Sequence, residues 1–165
     1  MLYILAIVLL PPLLVFGVYH LALWVDLARV RSRAFWQRLA TASAVSHVLL
    51  AIGFFLFSYL DYRINGSVRN AGLAFDAYFF DRSPFWSLAA LFDTISMVVL
   101  LGIFAVLDRF GIPFGATVAL TAGIVLIVGT FQWYWLGGGI GAALERLWRG
   151  LKGPEDDDEN LGHWL

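Results

Sequence analysis

The chain contains no cysteine, which excludes disulfide staples, thiolate metal sites, iron–sulfur clusters and cysteine nucleophiles together. Charge is scarce as well. Only 14% of the 165 residues are Asp, Glu, Lys or Arg, against roughly a quarter in soluble domains. The formal net charge is −1, and the basic residues stand in short clusters beside apolar runs, so no nucleic-acid partner is indicated. No basic stretch precedes the first apolar run. That run is uncharged from Met1 to Val25 and longer than the core of a cleaved signal peptide, so it reads as a retained membrane span. A zinc-protease helix motif, a nucleophile elbow and an acid pair with a shared location are all missing. The glycine run Gly137 to Gly141 lacks the preceding strand and the basic residue of a phosphate-binding loop.

What the chain has in excess is apolar surface. Hydrophobic residues make up 61% of it, against roughly 45–50% in typical domains. A soluble fold of this length could not bury so much, and the surplus must face lipid or other membrane proteins. About 20 apolar residues at 1.5 Å each cross a 30 Å hydrocarbon layer. The runs long enough to do so cover about 2–25, 39–60, 84–107 and 113–136. The predicted fold is therefore all-α: an integral membrane protein with four antiparallel transmembrane helices.

Details at the ends of these runs fill in the organisation. Pro11 and Pro12 sit within the first run, where a kink is expected but the helix persists, because lipid offers the backbone no other partner. Asp26 to Gln37 reads as a short polar turn, and Asp61 to Ser83 as a segment lying along the headgroups, partly as an amphipathic helix. Ser83-Pro84 has the form of a helix start, and Asp108 to Gly111 of a tight turn. Gly137 to Gly139 is expected to break or bend the chain before a short amphipathic helix within residues 1–153. Residues 154–165 form an acidic tail expected to be disordered. Trp and Tyr favour membrane–water boundaries. Four spans place Trp24 and Trp36 on one side and Tyr3, Tyr59, Trp86 and Trp133 on the other. Arg29, Arg31 and Arg33 in the first turn and Arg38 just after it, against an uncharged N-terminus, put that turn in the cytoplasm and both termini outside it, and the expected location is a bacterial inner membrane.

Two histidines invite a site. His20 lies about five residues before the end of the first span, and His47 lies a similar distance past the arginine turn. In an antiparallel hairpin their depths agree within a few ångströms. The plain reading makes them interfacial or helix-linking side chains. The sharper reading makes them axial ligands of a haem iron, with Arg29 and Arg33 pairing its propionates; a quinone pocket or another metal is the remaining alternative. Four spans with His20, His47 and the neighbouring arginines are loosely similar to the small membrane-anchor subunits of respiratory enzymes, which hold a b-type haem between helices. The similarity is confined to those residues and departs from the usual three spans, and no family is assigned on it.

Asp93 is the one acid well inside a span, and an ionisable group there is a functional-site candidate. The plain reading is a hydrogen bond to a neighbouring helix or a partner subunit. No basic residue stands at matching depth on this reading, and His20 and His47 lie toward the opposite face. Gly115, Ala119 and Gly123 recur at four-residue intervals, spacing that lets helices approach closely, either within the four-helix bundle or against another subunit. The first functional expectation is a non-catalytic accessory or assembly subunit of a larger membrane complex, respiratory or photosynthetic, whose partners are lipids and other membrane subunits. The second is a redox subunit binding b-type haem or quinone through His20 and His47. The third is a small oligomeric transporter or channel with Asp93 lining the path.

Overall fold

A computed structural model describes residues 2–25, 32–69, 78, 93–110 and 114–152. Among them all regular structure is helical. Helix α1 covers Leu2–Val25, α2 covers Phe35–Arg69, α3 covers Thr94–Phe110 and α4 covers Phe114–Ile124. A π-helical turn, Val125–Gly129, joins α4 to α5, Thr130–Lys152. Two helical stretches, Phe35–Ile64 and Val118–Leu151, are long and apolar enough to span a membrane; Leu9–Val25 and Thr94–Phe104 are shorter apolar helices. The segment carrying Trp86, the Ser83-Pro84 helix start, Arg29 and the acidic tail lie outside the described residues.

Pro11 and Pro12 stand inside α1 without ending it, as expected of a helix whose neighbouring turns are apolar throughout. Helix α2 continues past the expected span end near Leu60, with Asp61, Tyr62 and Arg63 in further turns that reach Arg69. Two other expectations need correction. The sequence Asp108-Arg109-Phe110 is the last turn of α3 rather than a reverse turn. The glycine run bends nothing, because Gly137 to Gly139 lie inside the continuous helix α5. At Gly137 part of the reason is packing: a Cβ there would overlap Ser43 of α2, so the residue is shielded from the water that otherwise weakens a glycine-containing helix, whereas Gly139 is exposed.

The chain forms two compact units, one from Met1–Ser46 with Trp133–Leu165 and one from His47–Gln132. In the first unit, α2 and α5 run antiparallel at close range. A Cβ on Gly137 would overlap Ser43 and come to 3.0 Å from the Leu39 carbonyl oxygen, and one on Gly141 would lie 2.7 Å from Cα of Trp36. Gly137 and Gly141 thus form the four-residue small-residue spacing that brings membrane helices together. The same seam closes with a tertiary cap. The Trp36 backbone N–H, in the first turn of α2, donates to Oε1 of Glu145 on α5 at 3.1 Å. It satisfies a donor that the helix itself leaves unpaired, with a negative charge at the positive end of the dipole.

That cap gives a direct expectation. Glu145→Ala should lower stability by about 1 kcal/mol, in the range of N-cap losses. Arg149→Ala should change little, because Arg149 meets Glu145 at 3.3 Å with a mostly exposed side chain and exposed pairs contribute less than about 1 kcal/mol. Unfolding in detergent would check both; equal losses for the two variants would assign the effect to the ion pair.

The second unit has its apolar centre at Leu100 of α3, Val118 of α4 and Val125 of the π turn, with Phe54 and Phe55 of α2, Met97 and Phe104 packed on it. Three helices therefore turn one face each toward a common interior.

Candidate functional site

Along α2, His47, Ala51 and Ser58 are all buried. Their spacing of four and seven residues places them on one stripe of the helix, and that stripe is the face turned into the second unit. At its upper end His47 is 2% exposed. Its Nε2 lies 2.9 Å from Oδ2 of Asp93, and its Nδ1 lies 3.1 Å from Oγ1 of Thr130.

Asp93 stands immediately before α3, and its carbonyl accepts the Met97 N–H at 3.0 Å, the first α-helical bond. Its side chain reaches His47, and the Ile95 N–H is met at 3.1 Å by Oε1 of Gln132 from α5, so a side chain from another helix helps to satisfy the start of α3.

Thr130 owes its place to the π turn. A turn with one extra residue rotates everything after it by about 100° relative to an unbroken α-helix, and Thr130 is the first residue after that turn. Gly129 closes the site from the same side: a Cβ there would come 2.6 Å from His47 Nε2 and 2.9 Å from Asp93 Oδ1. Only glycine leaves room for the pair in this arrangement.

The hydrogen bonds determine where protons sit. The Thr130 hydroxyl donates to the Leu126 carbonyl, which is an acceptor only, so Oγ1 must accept from Nδ1–H of His47. The contact between Nε2 and Oδ2 then holds a second proton, on either the imidazole or the carboxyl group. Chemically the arrangement is a buried proton-holding pair with an oriented histidine. Thr130 is not an activated nucleophile, since its proton is committed to the backbone. Among the described residues no group of three or more His, Asp or Glu side chains gathers at a metal-binding position.

This geometry corrects the expectation that Asp93 lacks a basic partner and faces away from His47. Depth was counted from assumed span ends. Helix α2 starts at Phe35 rather than near Leu39, which sets His47 about 6 Å further from the helix start, and Asp93 stands immediately before α3. His20, in the other unit, is exposed on α1 and lies against the rings of Phe16 at 4.3 Å and Tyr19 at 5.5 Å. Arg33 is exposed. Both ring nitrogens of His47 are engaged, so coordinating a haem iron would require giving up Asp93 or Thr130. Of the small-residue stripe, Ala119 is exposed and a Cβ on Gly123 would meet nothing within 4 Å; Gly115 lies in α4. Within the first unit close helix packing runs through Gly137 and Gly141, whose spacing was legible in the sequence. Thr130 carried no such signal.

Comparison of the chain with protein-family models, with curated proteins and with solved structures gives no match. The functional reading therefore rests on the geometry of the helices and of the His47–Asp93 site.

Proposed function

We propose that the chain is a four-span integral membrane protein that works as a non-catalytic subunit of a larger membrane assembly. The observation that carries this reading is a set of outward-facing glycines inside apolar helices. Gly17 of α1, Gly53 of α2 and Gly102 of α3 are exposed, and a Cβ on any of them would meet nothing within 4 Å. A helix-interior glycine costs about 0.5–1 kcal/mol relative to alanine. Lipid returns nothing for it, whereas a second helix approaching closely does.

The surrounding surface suits such contacts. The two long apolar stretches bury only 39% and 22% of their span windows within the chain. Large side chains such as Leu13, Phe57, Val98 and Leu101 point outward. Four spans follow if α1 and α3 also cross, which their apolar composition supports.

Extraction in a mild detergent tests the reading. The chain should run with other membrane subunits, and Gly53→Leu or Gly102→Leu should release it while leaving its own melting transition in place. A solitary chain in every mild detergent, or an association indifferent to both substitutions, would count against the proposal.

A further inference from the structure

Two hydroxyls inside the second unit have no hydrogen-bond partner: Ser96 Oγ on α3 and Thr121 Oγ1 on α4, both on fully buried residues. Two hydroxyls on α2 behave conventionally. Thr41 donates to the Gln37 carbonyl at 2.9 Å and Ser46 to the Ala42 carbonyl at 2.7 Å. That back-bond is the cheap solution in any helix. Thr121 has the same carbonyl one turn behind it and does not use it. A buried, unsatisfied hydroxyl costs about 1–3 kcal/mol, and the usual remedy in a polar site is an ordered water with two to four partners.

The placement of these groups matters as much as their number. Ser96 is one turn along α3 from Asp93. Thr121 shares a face of α4 with Val125 and, beyond the π turn, Gly129, which abuts the pair. Ser58 is fully buried three turns along α2 from His47. One turn further, at the end of the stretch Phe35–Ile64, Asp61 accepts the hydroxyl proton of the buried Tyr78. Polar atoms thus recur down an otherwise apolar interior, over about 20 Å of α2.

We propose that this interior is a water-binding file, running from Asp61 past Ser58, Thr121 and Ser96, through which the His47–Asp93 pair exchanges protons with solvent. The ligands are water and the proton it carries; no bond other than O–H and N–H is made or broken. A proton arriving on a water at Ser96 passes to the pair as the pair's own proton leaves by the same route. The inference rests on the chain lying in a membrane, since only there does a buried polar pair need a dedicated route to water.

The test uses the full chain in liposomes with His20→Gln and His163→Gln, so that nitrogen-15 histidine labelling reports His47 alone. On mixing with deuterated buffer, the ring N–H signals should be lost within about a minute, while the neighbouring α2 amides persist for hours. Ser96→Ala and Thr121→Val, which keep side-chain shape, should each slow the loss about tenfold, the equivalent of one hydrogen-bonded water. A His47 ring as protected as the α2 amides would overturn the file, and so would unchanged exchange in both variants. Chain that fails to float with the liposomes after an alkaline wash would overturn the membrane placement itself, a separate readout.

Discussion

Asp93→Ala is expected to destabilise the fold by about 3–5 kcal/mol, the loss seen when one member of a buried pair is removed and the other is left behind. Nε2 of His47 would face a cavity in a site where both partners are almost wholly buried. His47→Ala should cost a similar amount, for it strands the carboxyl group. The double variant His47→Leu with Asp93→Leu should lose less than either single change, because no polar group then remains unpaired. Reversible unfolding in detergent would give the coupling energy from the four proteins. A value near the ~0.6 kcal/mol typical of interhelical hydrogen bonds in membranes would reduce the pair to ordinary helix glue; about 2 kcal/mol or more would mark it as a coupled proton-holding unit.

The second large effect is a change of sign within one short glycine run. Gly141→Ala should destabilise by about 1–3 kcal/mol, the range for overpacking. Its Cβ would lie 2.7 Å from a backbone atom, Cα of Trp36, and backbone cannot rotate aside. The helices must separate, which also stretches the bond between Trp36 and Glu145. Gly139→Ala, two residues away, should stabilise by about 0.5–1 kcal/mol, since a Cβ there meets nothing within 4 Å and alanine is the better helix former. Melting temperatures of the two variants against the parent would settle the matter. Two stabilising substitutions would mean that α2 and α5 are not in close contact along this seam. Gly129→Ala belongs with the first kind, and it should additionally disturb the His47 ring resonances, because the new methyl would press on Nε2.

Much of the helical architecture could be read before any coordinates. Apolar run length is a local property, and so the helices begin and end within several residues of their expected places at Phe35, Phe110 and Phe114. The exceptions are Asp108 to Phe110 and Gly137 to Gly139, which carry residues that favour breaks in water yet lie inside helices. At Gly137 the close contact with Ser43 of α2 is a tertiary feature that no run of neighbouring residues announces.

The site was half legible. Asp93 and His47 stood out individually because ionisable groups are costly in an apolar run. Their pairing did not, because depth counted along one helix says nothing about the rotation of another. Thr130 and Gly129 were invisible, since the π turn that brings them to His47 leaves no mark in the pattern of apolar residues.

By itself, then, the amino-acid sequence determined that this chain is helical, rich in long apolar runs and equipped with a few isolated polar groups, because these depend on composition and on runs of neighbouring residues. Only the tertiary structure decided that His47 meets Asp93 and Thr130, that Gly137 and Gly141 of α5 are contact points, and that Ser96 and Thr121 stand unpartnered in the interior. Those facts depend on the angular registry between helices far apart in the chain, and registry is settled by packing, which no single segment encodes.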